Sequence, residues 1–193
     1  MFPFRSPKTM GTVAGTLKNI KGYGIVKRRM AIKDIFIYFQ EIDMDYRILT
    51  DQAEGMLEAE PWYAAAFSNL SSLIMNMLPE LNWAGFYLMR DGKLVVGPFQ
   101  GKPACIHIDL GKGVCGTAAL RNETVVVPDV HLFPGHIACD GASESEIVIP
   151  VREDGRVRAV LDIDSPVKNR FTPKDRAGLE VLVRKIEERV KWD

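Results

Sequence analysis

The amino-acid sequence predicts an α/β (α+β) fold. A central antiparallel sheet of about six strands carries the N- and C-terminal helices of the domain on one face and a loop-covered ligand pocket on the other. Three observations predict it. Apolar residues recur with helical spacing in two segments before residue 80 and in one after residue 172. The segments between them alternate with a period of two. Two Asp-Gly dipeptides, Asp91-Gly92 and Asp154-Gly155, stand between alternating runs, where a hairpin turn belongs.

The first helix is expected over residues 46–58, with Ile48, Leu49, Ala53, Met56 and Leu57 as its apolar members. Pro61 suits the first turn of a second helix, which runs to about Leu78 on a stripe of Phe67, Leu70, Ile74, Met77 and Leu78. Residues 82–89 alternate as a strand, with Trp83, Gly85 and Tyr87 on one face and Ala84, Phe86 and Leu88 on the other. Residues 93–96 return from the Asp91-Gly92 turn, and 106–110 form a short strand. Gly111-Lys112-Gly113 opens a short helix over 114–121, followed by a strand at 124–127 that Pro128 ends. Residues 129–140 read as a loop long enough to be functional. Strands follow at 146–151 and 156–163. In the second, Val157, Ala159, Leu161 and Ile163 are expected on one face and Val160, Asp162 and Asp164 on the other. Thr172 caps the last helix, with Pro173 at its first position and Leu179, Leu182, Val183, Ile186 and Val190 as its buried stripe.

A chain of 193 residues with a 47% hydrophobic share can build a real core as one domain, or one domain with an extension. The domain is expected at 44–193. Residues 1–43 differ in composition: eight basic and three acidic residues make them +5, which leaves −5 for the rest. They read as a poorly ordered basic extension or as the product of a mis-assigned start, with Met30 or Met44 as alternatives. Overall, 25 basic residues balance 25 acidic ones, so no global field draws the chain to nucleic acid or to a membrane. No apolar run approaches the ~18 residues of a membrane-spanning helix, and the first residues lack a signal peptide's apolar stretch. Three cysteines make no secreted disulfide framework. A reducing cytoplasmic setting is expected, in which any disulfide is transient and catalytic.

The chemistry is concentrated in residues 97–164. All three cysteines (Cys105, Cys115, Cys139) and all three histidines lie there, with Asp140, Glu144, Glu146, Asp162 and Asp164. Cys115 stands in the first turn of the short helix, where the helix N-terminus lowers a thiol pKa. Asp162 and Asp164 share a strand face, which is bland if solvated and an acid site if it lines a pocket. Trp83 and Tyr87 suit a ligand floor, or an ordinary aromatic core. A metal site from His131, His136, Cys139 and another cysteine matches no standard zinc spacing. His107 reads as structural, and His136 stands close enough to Cys139 to tune it.

These residues resemble a known family. The layout is similar to a GAF domain, and the motifs resemble the free methionine-(R)-sulfoxide reductases. They are Asn82-Trp-Ala-Gly-Phe-Tyr87, Gly97-Pro-Phe-Gln-Gly-Lys-Pro-Ala-Cys105, Gly111-Lys-Gly-Val-Cys-Gly116, His136-Ile-Ala-Cys-Asp140, Ser143-Glu-Ser-Glu-Ile-Val-Ile-Pro150 and Leu161-Asp-Ile-Asp-Ser165. The resemblance runs from about Asp45 to the C-terminus, and its three-cysteine pattern is specific within GAF domains. It implies that Cys139 attacks the sulfoxide sulfur and that Cys105 resolves the product as a disulfide. Cys115 is left as attacker, second resolver or relay. Trp83 and Tyr87 cradle the substrate's methyl end, and Glu146, Asp162 and Asp164 bind and protonate. No bound cofactor or metal is expected. Thioredoxin or a similar dithiol protein is expected as reductant, and a homodimer is left open. Stereochemical preference for the R epimer comes from the resemblance alone.

The residue chemistry is compatible with that expectation. Reducing a sulfoxide needs a nucleophile at sulfur and a proton at oxygen, which a thiolate and a carboxyl held protonated near neutral pH supply. The rival readings are a non-catalytic GAF domain that senses a small ligand, and cysteines that are simply buried and inert.

Overall fold

The computed structural model describes residues 45–137 and 141–193, which lie in a compact unit spanning Asp43–Asp193. The basic extension at 1–43, and Cys139 and Asp140 in the loop, lie outside the described residues. Two helices, α1 (Tyr46–Ala59) and α2 (Tyr63–Met77), precede strands β1 (Trp83–Arg90), β2 (Lys93–Gly101) and β3 (His107–Asp109). Helix α3 (Gly113–Arg121), β4 (Val125–Val127), a 3₁₀ turn at Val130–Leu132, β5 (Ser145–Glu153), β6 (Arg156–Ser165) and α4 (Pro173–Arg189) follow. The sheet has the order β3-β2-β1-β6-β5-β4, and every pairing is antiparallel. Among the described residues no helix is long and apolar enough to cross a membrane.

The helix ends follow from local chemistry. The Asp45 carboxylate accepts from the Arg47 N–H and caps α1. Thr172 and Asp175 form a reciprocal capping box at α4, with Pro173 at its first position. Asp175 also accepts from the Tyr46 hydroxyl at 2.6 Å and from Arg170 at 3.0 Å, tying α4 to the start of α1. Burial pushes the Asp175 carboxyl up, but these hydrogen bonds outweigh it and hold it below its ordinary range. The second helix starts at Tyr63 rather than Pro61, because the backbone at 61–63 is committed elsewhere. Lys191 N–H donates to the Pro61 carbonyl and Tyr63 N–H to the Lys191 carbonyl, which pins the C-terminal residues beside α2. Both Asp-Gly hairpins have positive φ at both residues, as a two-residue turn between twisted strands requires.

The sheet separates two apolar layers. On one face α1, α2 and α4 bury Leu49, Phe67, Leu70, Ile74, Leu182 and Ile186 against Phe86, Ile147, Leu161 and Ile163. The Phe67 and Phe86 rings stack at 3.9 Å. Ile48, expected in this stripe, is exposed instead. On the other face α3 and the 130s loop close over Trp83, Tyr87, Val148 and Val160.

Two bulges explain where strand reading departs from the structure. Between the pairs Val151↔Ala159 and Arg152↔Val157, β6 carries one extra residue, Arg158. This reverses the parity, so Val157 packs on the α3 side and not with Ala159, Leu161 and Ile163. A second irregularity lies between Gly85↔Phe99 and Tyr87↔Val96, where β2 carries the extra residue. The strand continues past it to Gly101, five residues beyond the expected end at Val96.

Two helical glycines separate packing from propensity. A Cβ at Gly178 would overlap the Tyr46 ring where α4 crosses α1, whereas nothing lies within 4 Å of one at exposed Gly55. Gly178→Ala is expected to destabilise by about 1–3 kcal/mol, overpacking outweighing the gain in helix propensity. Gly55→Ala is expected to stabilise by about 0.5–1 kcal/mol. Urea unfolding midpoints of the two variants check both signs.

Candidate active site

The site is built by strand register. Across the face opposite the helices, Trp83 pairs with Asp164, Asp164 with Glu146, and Glu146 with Val127. The next row pairs Phe99 with Gly85, Gly85 with Asp162, and Asp162 with Val148. Directly opposed side chains on antiparallel strands stand ~5 Å apart, and like charges so placed repel. Three carboxyl groups from β5 and β6 therefore converge beside the β1 aromatics. Glu146 is 5% exposed and Asp162 6%.

Trp83 and Tyr87 are almost fully buried, and they belong to a larger aromatic wall. Trp83 stacks on Tyr87 at 5.8 Å between centroids and on Phe99 at 5.2 Å. The Trp83 Nε1–H donates to the Lys102 carbonyl at 3.1 Å, which fixes the indole plane. Gly85 lies between these rings because a Cβ there would overlap Phe99 and Trp83. Phe99 was missed by sequence reasoning. Its signal was an aromatic between glycines in the segment leading to Cys105, but the bulge in β2 hid which face it takes.

Helix α3 closes the pocket from above. Gly116 lets it approach β3, since a Cβ there would strike the Asp109 carbonyl. Cys115, in its first turn, is a free thiol, 4% exposed, with its Sγ 3.9 Å from Glu146 Oε1. The remaining wall comes from residues 102–104, 112–114, His136, Ile137 and Ser143. Buried Ser143 accepts a hydrogen bond from Asn82 at 3.0 Å. His136 Nε2 lies 3.8 Å from Glu146 Oε2.

Burial sets the protonation states. It raises the Glu146 carboxyl well above its ordinary range, and the neighbouring charges of Asp162 and Asp164 raise it further. Asp162 is also raised by burial, but hydrogen bonds from Cys115 and Glu146 limit the rise to about 6. Both carboxyls are pushed toward their protonated forms, and a proton shared by the pair is favoured on Glu146. His136 is lowered, mainly by burial and then by the charge of His131. Both shifts, Glu146 up and His136 down, work against an ion pair between the two. The Tyr87 phenol is raised by burial.

Cys115 reverses its expectation. The helix N-terminus was to lower its pKa, yet the thiol is raised well above the ordinary value. Burial is the largest cause, followed by the charges of Asp162 and Glu146. Desolvation and two facing carboxyls outweigh the partial charge of a helix end.

The structure thus brings Trp83, Tyr87, Cys115, Glu146, Asp162 and Asp164 into one pocket. Cys105 stands at its margin, half-buried between Ala104 of the pocket wall and exposed Ile106. His107 is exposed on β3 and takes no place in the core or the pocket. Among the described residues, two groups of side chains have the spacing of metal ligands. Cys115, Glu146 and Asp162 place one ligand atom each within 4.8 Å of one another, but as a proton-sharing, hydrogen-bonded set. Asp129, His131 and Glu144 form the other, and the Lys168 ammonium already lies 2.7 Å from Asp129 and 3.7 Å from Glu144.

Known proteins are similar to this chain over most of the domain. Residues 64–188 match the GAF domain family. The free methionine-R-sulfoxide reductase of Escherichia coli is 49% identical over 142 residues, covering 74% of this chain and 86% of that enzyme. The enzyme of the same name from Saccharomyces cerevisiae is 45% identical, covering 69% and 78%. The solved structure of fRMsr of Staphylococcus aureus in complex with substrate superposes with a TM-score of 0.74 at 47% identity, covering 77% of this chain and 97% of that one. The chain belongs to the GAF-domain family and, within it, to the free methionine-R-sulfoxide reductases.

Proposed function

We propose that this chain reduces free L-methionine-(R)-S-oxide to L-methionine by thiol attack at sulfur, with thioredoxin as the reductant, in the cytoplasm. The observation that carries the reading is the buried carboxyl set facing an aromatic wall. A sulfoxide oxygen leaves only when protonated. A Glu146 carboxyl whose pKa is raised by burial and by its carboxyl neighbours is suited to protonate it. Asp162 is suited to the substrate ammonium. It is ionised above about pH 6, and its buried Oδ1 has no hydrogen-bond partner. Asp164, across from Glu146, adds charge of the same sign. Trp83 and Tyr87, with Phe99 stacked behind Trp83, take the S-methyl end, where an aromatic face favours the partial positive charge that develops on sulfur.

In this mechanism the Cys139 thiolate attacks sulfur, and the oxygen leaves on Cys139 as a sulfenic acid once protonated. Cys105 condenses with that sulfenic acid, forming the disulfide and releasing water. Thiol exchange with thioredoxin restores both thiols. Cys115 is not the attacker. A buried thiol with a raised pKa is a weak nucleophile, and its contact with Glu146 suits a part in holding the acid in place.

NADPH consumption coupled through thioredoxin and its reductase checks the assignment. Wild type is expected to turn over the free R epimer, and neither the S epimer nor a peptide-blocked sulfoxide. Cys139→Ser should be inactive, whereas Cys115→Ser should keep most of its activity. An active Cys139→Ser would move the nucleophile to Cys115, and an inactive, well-folded wild type would leave a ligand-sensing GAF domain.

The acid role has its own pH signature. The protonated form of Glu146 is the active one, so kcat should fall as pH rises through its raised pKa. Glu146→Gln should lower kcat by about 10²–10⁴-fold and remove that alkaline limb. Initial rates across a pH series check it.

Stability moves in a related way. The folded pKa of Asp162, about 6, lies above its ordinary value of 3.8. Its protonated form therefore stabilises the fold below about pH 4, and this contribution is lost as pH rises through about 6. Asp162→Asn removes the loss, so between pH 4 and pH 7 its stability should improve relative to wild type, by at most about 3 kcal/mol. Denaturant unfolding at the two pH values checks the sign.

A further inference from the structure

The reaction just proposed leaves a proton to be replaced. When Cys139 attacks, a transient sulfur–sulfur bond forms; the protonated oxygen then passes to Cys139 as S–OH while the sulfoxide S–O bond and that sulfur–sulfur bond both break, releasing methionine. The substrate sulfur is reduced by two electrons and the cysteine sulfur is oxidised by two. The proton taken up by the oxygen leaves Glu146 as a carboxylate. A new proton must reach that carboxylate before the next turnover, although the Glu146 side chain is only 7% exposed.

The groups around Glu146 offer unequal routes to solvent. Cys115 and Asp162 exchange hydrogen bonds with it, but both are buried as deeply as Glu146 itself. His136 is different. Its Nε2 stands 3.8 Å from Glu146 Oε2, and its side chain is 16% exposed. It comes from the 130s loop rather than from the sheet, and it lines the same pocket as Glu146 while being the more exposed of the two. An imidazole can accept a proton at one nitrogen while releasing one from the other.

We propose that His136 is the proton relay of this enzyme, returning a proton from solvent to Glu146 after each attack. The inference rests on the reductase reading above. His136 acts on the substrate only through Glu146 and is therefore a positioning and relay residue. The charged and titratable groups that face it are Glu146 from β5, Asp162 and Asp164 from β6, Cys115 and Lys112 from α3 and its cap, Lys102 after β2, and His131 on its own loop. Burial and the charge of His131 keep the imidazole neutral near pH 7, the form that passes a proton without storing one.

The test compares the full-length wild type with His136→Ala and His136→Asn, using free methionine-R-sulfoxide in the coupled assay with saturating reductant. The relay predicts that kcat falls by about 10–100-fold in both variants while KM stays near that of wild type. Added imidazole should restore kcat in His136→Ala, and a series of substituted imidazoles should do so in proportion to their basicity. Two results would overturn it: wild-type kcat and pH profile in either variant, or lost kcat that no imidazole restores in a variant with native near-UV circular dichroism. If His136→Ala does not fold, the pH profile of His136→Asn decides. A relay requires an altered alkaline limb, and an unaltered one overturns it. A wild type without turnover would instead sink the reductase reading itself, a result distinct from an active wild type whose rate ignores His136.

Discussion

Everything in the pocket depends on the register that sets Glu146 opposite Asp164 and Asp162 opposite Val148 on the same inner face. Opposed carboxyls on a buried sheet face are unfavourable twice over, through desolvation and through like charge. The sheet tolerates them because its other face is closed by three helices over a continuous apolar layer. The Asp154-Gly155 turn sets this register from the end of the hairpin, and the bulge at Arg158 lies between the turn and the acids. One residue more or less in β6 would carry Asp162 and Asp164 to the helix face and bring Leu161 and Ile163 into the pocket.

The same burial makes the acids differ from one another. Glu146 is surrounded by carboxyls and is driven to keep its proton, while Asp162 receives hydrogen bonds that favour its charge. Two residues of one chemical class are thus shifted to different extents by what surrounds each. Cys115 follows the same logic in the opposite direction. Its position at a helix start suggests a reactive thiol, but what surrounds it is apolar and acidic, and those terms win. The aromatic wall gives the pocket an apolar end opposite these groups, and Gly85 is the space that lets Phe99 and Trp83 close it.

Much of the fold was legible in the sequence. The stripes at Phe67, Leu70 and Ile74 and at Leu179, Leu182 and Ile186, the Asp-Gly turns and the Thr172 cap are local signals, each decided within a few residues. Trp83 and Tyr87 fell on the right face because β1 is regular from end to end against β6. Val157 fell on the wrong one because a bulge leaves no mark in a period-two pattern. Phe99 was missed for a similar reason, and His136 was weighed as a neighbour of Cys139 and as a metal ligand, although its structural partner is Glu146, ten residues on.

What the sequence determined by itself was the inventory and its local order: which segments are helix or strand, and that thiols and carboxyls share one stretch of chain. It did so because propensity, capping and turn chemistry act over short distances. What only the tertiary structure decided was which of these groups meet and how each is charged. Burial, cross-strand opposition and the approach of α3 arise between residues far apart in the chain. The raised carboxyl of Glu146, the raised thiol of Cys115 and the imidazole of His136 beside the acid exist only once those distances close.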